Sequence, residues 1–414
     1  AVYIGLISIL MCSMFGGMRA VNWTQVAQYI VLIIAYLLPI FWNSNKMGAG
    51  FFPHFMLADE VARIGELEQQ FGFVKNSAAD LATVPKGLAG ITKAHSAVNA
   101  TPWAFISLAL AMMMGTASLP HVMMRYFTTP SVKAARKSVG WSLFFIFLLY
   151  SSAPMLATLS KLSLIDPSLP TGIIGKSFAE VQAIDWFQNW NQANLMFISD
   201  FNGNGTLELN EFFMGGKAVV LATPEIAGLP YVISGLVAAG GMAAAMSTAD
   251  GLILAIANAI SHDVYYKMID PKAETAKRLL VARVLLVIIG FAGATIAAME
   301  IQGILGSVIW AFDFAMSGLF FPLVLGVWWK RANKEGAIAG MVLGLASSIW
   351  YLVWVRTGGS GFLGLTQLTF GIFGAGVSFV AMVVVSLMTQ EPDKATQKMV
   401  DEVRVPSGRT VTGK

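Results

Sequence analysis

Apolar runs of about 20 residues, the length that crosses a bilayer as a helix, recur from one end of this chain to the other. Inside hydrocarbon a backbone must satisfy its own hydrogen bonds, so runs of this kind become helices. We expect an all-α, polytopic membrane protein. About nine spans can be drawn, over residues 1–16, 24–42, 103–125, 138–160, 227–259, 279–299, 304–329, 337–355 and 366–388. Charged residues make up only 12% of the chain, half of what soluble domains carry. Forty glycines suit close helix packing. A single cysteine, Cys12, excludes an intrachain disulfide.

Basic residues set the expected orientation. Loops at 17–23, 126–137, 260–278 and 330–336 hold Arg19, Lys133, Arg136, Lys137, Lys267, Lys272, Lys277, Arg278, Lys330, Arg331 and Lys334. They alternate correctly to share the cytoplasmic side of a cell's inner (plasma) membrane with the polar, loose tail at 389–414. The membrane domain then covers 1–388. Two long segments, 43–102 with a surface helix in "ADEVARIGELEQQ" and 161–226, fall outside. The net charge of +4 is spread over these loops, which is no nucleic-acid signature. Ala1 already lies within an apolar run, without the charged lead of a signal peptide. The chain reads as a fragment whose earlier helices are missing.

The second outside segment contains "DFNGNGTLELNE" at 200–211. An EF-hand loop takes ligands at positions 1, 3, 5, 7, 9 and 12, with glycine at 6. Those slots hold Asp200, Asn202, Asn204, the Thr206 carbonyl, Glu208 and Glu211, with Gly205 at the turn. Leu207 occupies the eighth position, where an apolar side chain tucks inward. Glycines soon after Glu211 leave a short exit helix. The expected ligand is a structural calcium ion, in the extracellular affinity class of about 10⁻⁴–10⁻³ M.

Two stretches carry candidate transport chemistry. In "GLVAAGGMAAAMSTADGLILAIANAISHD" (235–263), Ala244, Ser247 and Thr248 share one helix face. Neutral oxygens there suit sodium, although the spacing alone favours a packing face whose hydroxyls bond back to their own helix. In "MMGTASLPHVMMR" (113–125), Pro120 cannot donate to the carbonyl of Thr116. A break there would free backbone groups beside a substrate path at Gly115, Thr116, Ala117 and Ser118; a simple kink is the alternative reading. Asp250 and Asp313 lie within apolar runs, and an intramembrane acid is a functional candidate by default. His121 and His262 sit at helix ends as interfacial caps.

Together these stretches resemble the sodium:solute symporter family. "GGMRAVNWTQVAQ" (16–28) is similar to a motif between two of its helices. "GTASLPHVMMRYFTTP" (115–130), "AAAMSTADGLILAIANAISHDVYYKMIDP" (243–271) and "VVLATPEIAGLPYVISGLVAAGG" (219–241) are most similar to its cation/acetate symporters, the acetate-permease branch. The resemblance implies an inverted-repeat fold like that of the amino-acid transporters, lacking here its first helices, among them a broken one that completes the sites. It implies sodium ligation by Ala244, Ser247 and Thr248, and symport of a small monocarboxylate. Many members have Asp where this chain has Gln25, which puts acid-assisted ion release there in doubt. A related subfamily pairs its large subunit with a small membrane partner. Two alternatives stay open: a symporter of another small solute, such as an amino acid, and a transporter-like membrane sensor. The sequence shows no nucleophile or metal-ligand cluster of an enzyme.

Overall fold

The structure, a computed structural model, describes residues 2–48, 50, 52–71, 102–299, 301 and 303–404. The second half of the first outside segment, 72–101, and the tail from 405 onward therefore lie outside the described residues. In chain order the elements are α1 Val2–Lys46, α2 Leu57–Gln70, α3 Pro102–Ser118, α4 Pro120–Met123, α5 Val132–Ile165, α6 Phe178–Gln182 and α7 Asp185–Gln192. The strands β1 Met196–Ile198 and β2 Phe212–Met214 follow. Then come α8 Val219–Ile226, α9 Tyr231–Asn258, α10 Thr275–Ala298, α11 Ile304–Ala315, α12 Phe321–Trp328, α13 Lys334–Arg356, α14 Gly371–Met388 and α15 Lys394–Glu402. Wide π turns continue α9 through Ala259–Ile269 and join α11 to α12 through Met316–Phe320.

Among the described residues, seven helices are long and apolar enough to cross a membrane, and a bent pair raises the number to eight. The expected nine differ by one because the helices over 1–16 and 24–42 run on from one another across a kink and count once, as the 45 residues of α1. That helix would be about 68 Å long if straight, twice the hydrocarbon thickness. It is interrupted at Gly17, whose φ of 55° and ψ of −155° are not helical, a conformation that glycine adopts without a Cβ penalty. The expected loop at 17–23 is thus one residue of broken helix. Most of the expected loop at 260–278 is likewise helical, as the π extension of α9. At Pro120 the break appears as expected: α3 ends at Ser118, Leu119 is extended, and the chain restarts at an angle of 48°.

The chain divides into two compact units, Ala1–Leu6, His95–Gly140 and Gly251–Lys414 in the first, Ile7–Ala94 and Trp141–Asp250 in the second. In the second unit α5 changes character along its length. Leu143, Phe144, Ile146 and Phe147 are exposed, as a lipid-facing surface should be. Beyond Pro154 that exposure ends, and Met155, Leu156 and Leu159 are buried with Ile40. The helix then enters a small lobe. There Leu162, Leu164 and Ile165 join Ile64, Leu67, Ile173, Phe187, Met196, Leu207, Phe212 and Ile226 in one apolar core.

The lobe contains the only departure from an all-helical fold among the described residues. β1 and β2 pair antiparallel with Phe197 opposite Phe213, and their rings stack with centroids 4.5 Å apart. The strand β2 therefore follows Glu211 where a short exit helix was expected. "ADEVARIGELEQQ" is helical, within α2. It contributes Ile64 and Leu67 to the lobe core and is tied down by two ion pairs, Glu68 with Lys161 and Arg63 with Asp166. A capping box, Ser177 with Glu180, starts α6.

In the first unit α13 and α14 pack closely. Gly336, Gly340, Gly344 and Ser348 recur every fourth residue on α13. They meet the α14 face bearing Gly374, Ser378, Met382 and Ser386, the small-residue contact by which helices associate without a hydrophobic driving force. The tail differs from the loose segment expected. Asp393 caps α15 by accepting from the Thr396 amide at 2.9 Å, and Lys330 pairs with Asp401 at 2.7 Å.

Candidate cation and substrate sites

In the second unit α9 lies against α1. Gly240 makes this possible, because a Cβ there would run into Ala35. Further along, Ser247 Oγ donates to the Ala244 carbonyl at 2.9 Å and Thr248 Oγ1 approaches the same oxygen at 3.5 Å. Ala244 and Ser247 are half-buried and Thr248 is exposed. A hydroxyl that donates to its own helix still offers lone pairs to a cation. Ala244 also lines a largely apolar hollow of about 380 Å³ with Leu32, Ala35, Tyr36, Val237 and Gly240.

Polar groups of α1 brace this turn from both sides of its break at Gly17. Gln25 Nε2 donates to the Ser247 carbonyl at 2.6 Å, and Ser13 Oγ donates to Asp250 Oδ1 at 3.1 Å. Asp250 is fully buried, and among the described residues its other oxygen has no hydrogen bond. In the sequence Gln25 stood out only as a departure from a motif, and Ser13 did not stand out at all. Serine in an apolar helix carries no signal until its partner across the interface is known.

In the first unit α3 packs on α11. A Cβ on Gly115 would stand 2.6 Å from the Phe312 carbonyl oxygen, so glycine sets the approach of these two helices. Thr116 Oγ1 donates to the Met112 carbonyl at 2.6 Å and is exposed, as is Ala117. Ser118 is buried and donates to the Met114 and Gly115 carbonyls, at 2.9 and 3.0 Å. Gly115 thus brings its helix beside the turn that carries Asp313. That residue is fully buried, and among the described residues neither carboxylate oxygen accepts a well-formed hydrogen bond, although the Gly371 amide approaches it.

The loop 200–211 folds on its own oxygens. Asp200 accepts from the Gly203 and Gly205 amides at 2.7 and 3.0 Å. Asn202 and Asn204 accept from the amides two residues on, those of Asn204 and Thr206. Glu211, fully buried, accepts from the Phe201 and Glu208 amides, both at 2.9 Å. Gly205 has the positive φ, 72°, that its turn requires. Leu207 is buried, and its amide donates to the Lys176 carbonyl. The all-oxygen donor set suits calcium. The carboxylates are not drawn together, however: among the described residues no three His, Cys, Asp or Glu side chains are grouped to hold a metal. The side-chain amides of Asn202 and Asn204 both donate to Glu208 Oε1 at 2.9 Å.

Apolar spans, one of them bent, with buried acids inside them define a multi-pass membrane protein. The sequence profile of the sodium:solute symporter family matches residues 1–163 and 217–344, and the chain belongs to that family. The unmatched stretch between them is most of the lobe. An uncharacterised symporter of Cupriavidus necator is 33% identical over 491 residues, covering 97% of this chain and 71% of its own length. A monocarboxylic acid transporter of Corynebacterium glutamicum is 25% identical, with 84% of this chain and 55% of its own length covered. A Na⁺-coupled sialic acid symporter, solved in a substrate-bound outward-open state, shares the fold, with a TM-score of 0.57 at 16% identity over 95% of this chain and 67% of its own.

Proposed function

We propose that the protein is a sodium-coupled symporter of a small monocarboxylate. Family membership carries this reading, and the monocarboxylic acid transporter among its relatives favours the substrate class. Sodium is taken by Ala244, Ser247 and Thr248, on a turn that Gln25 and Ser13 hold in place. The substrate path runs by Gly115, Thr116, Ala117 and Ser118, with Asp250 and Asp313 as the buried acids of the two units. Gly115 and Ala117 leave little bulk, which suits a small solute. A monocarboxylate entering with one sodium moves no net charge, so the sodium concentration gradient drives it; a neutral solute would gain about 2.3 kcal/mol from 100 mV. The lobe faces the outside of a plasma membrane and the tail faces the cytoplasm, in keeping with the basic loops. Calcium in the loop 200–211 braces the lobe, and a small membrane subunit accompanies the chain.

The test is uptake of labelled acetate, glycolate, lactate and pyruvate by the full-length protein in proteoliposomes. Accumulation of one of these acids in an inward sodium gradient, and its loss when potassium replaces sodium, is expected. Uptake of none of them, with an amino acid carried instead, refutes the substrate class. Equal uptake with and without sodium refutes the coupling.

A further inference from the structure

Asp313 stands on the buried face of α11 with Gly306 and Ile309, in the last turn before the π segment Met316–Phe320. The buried hydroxyls of Ser317 and Ser348 are already committed. Ser317 Oγ donates to the Asp313 carbonyl at 2.6 Å and approaches the Gly371 carbonyl at 3.1 Å, and Ser348 Oγ donates to Ser317 Oγ at 2.7 Å. None of them reaches the carboxylate. Gly371, the first residue of α14, lies against it, and any Cβ there would collide with the carboxylate. The carboxylate meets that helix start without a hydrogen bond of good geometry.

The surrounding elements bring no countercharge. α3, α12, α14 and the π turn carry no titratable residue. α13 carries Lys334, Glu335, Tyr351 and Arg356. The Tyr351 hydroxyl is spent on the Phe362 and Leu365 carbonyls, both at 3.2 Å. The Arg356 guanidinium lies over the Trp310 ring, 5.1 Å from its centre. Among the described residues no Lys, Arg or His pairs with Asp313. A bare anion in such surroundings is far costlier than a neutral acid, and the partial charge of one helix start does not offset it.

We propose that Asp313 is a proton-binding site, loaded in this conformation and exchanging its proton with water when the α11–π–α12 segment gives access. In loading, a carboxylate oxygen forms an O–H bond while hydronium loses one and leaves as water; unloading is the reverse. The site gives the transporter a proton-linked step separate from the sodium turn on α9, and it does not depend on which solute is carried. A π turn interrupts the regular hydrogen-bond ladder directly after Asp313, at the place where such a segment would have to move.

Infrared spectroscopy of the purified protein in lipid nanodiscs tests this without substrate. At neutral pH the wild type should show a protonated-carboxyl C=O band that shifts in deuterium oxide. Asp313→Asn should remove about one carboxyl per protein from that band. Asp250→Asn should leave the Asp313 contribution in place, and Asp313→Glu, which preserves the acid if Asn misfolds, should move its frequency. Wild-type and Asp313→Asn spectra that superimpose in this region overturn the proposal, as does a band unmoved in Asp313→Glu. Sodium-driven uptake can fail while the band persists, so the two readings are tested apart.

Discussion

Replacing Lys161 by Met should loosen the lobe severely. The Lys161 side chain is fully buried, and the Glu68 carboxylate that accepts from it is only 11% exposed. Removing one member of a buried pair leaves the other charged, unpaired and desolvated, at a cost of about 3–5 kcal/mol. For a unit of this size each kcal/mol moves the melting midpoint by about 2–4 °C, so a fall of roughly 6–20 °C is expected. Trp186 and Trp190 pack on the lobe core, so intrinsic fluorescence of the protein in detergent, recorded on heating, reports the change. The double variant Lys161→Met with Glu68→Leu removes both charges and should recover most of the loss. Losses that simply add in the double variant, or a single variant that melts within about 2 °C of wild type, would refute the pairing argument.

Ser247→Ala with Thr248→Ala should raise the sodium concentration needed for half-maximal uptake at least about tenfold, the value of 1.4 kcal/mol in binding; unchanged sodium dependence removes these hydroxyls from the mechanism. Calcium should raise the melting midpoint of the wild type, and Asp200→Asn with Glu211→Gln should abolish that shift without altering the choice of substrate. Burial raises the Glu60 pKa above the usual glutamate range; Arg63 opposes this, while Asp166 and Asp59 push the same way as burial. Because the folded-state pKa is the raised one, the stability it contributes is present below the unfolded value and is lost as pH rises through the folded value. Glu60→Gln should flatten that fall in a pH series of melting curves.

The transmembrane fold was readable because hydrocarbon leaves a chain few choices: long apolar runs marked nearly every span. Where expectation and structure part, a local conformation decided. Gly17 breaks α1 in a single residue, too brief for hydropathy to distinguish from a loop. The tail gains α15 through one cap at Asp393 and one ion pair at Lys330, neither of which composition reports. The oxygen-rich loop was legible from spacing, and so was the break before Pro120. The bracing of Ser247 by Gln25 was not, since those residues are 222 positions apart. Asp313 was visible as an acid among apolar residues, but that its neighbours Ser317 and Ser348 are spent elsewhere emerges only from their partners in space.

α5 has 34 residues, a length of about 51 Å, against a hydrocarbon layer of about 30 Å. Its far end is built into the lobe through Leu162, Leu164 and Ile165, so this helix is a mast with the lobe fixed at its top. A tilt of only about ten degrees would sweep the lobe sideways by roughly 9 Å over that length. A probe pair on the lobe would therefore magnify small movements within the bilayer.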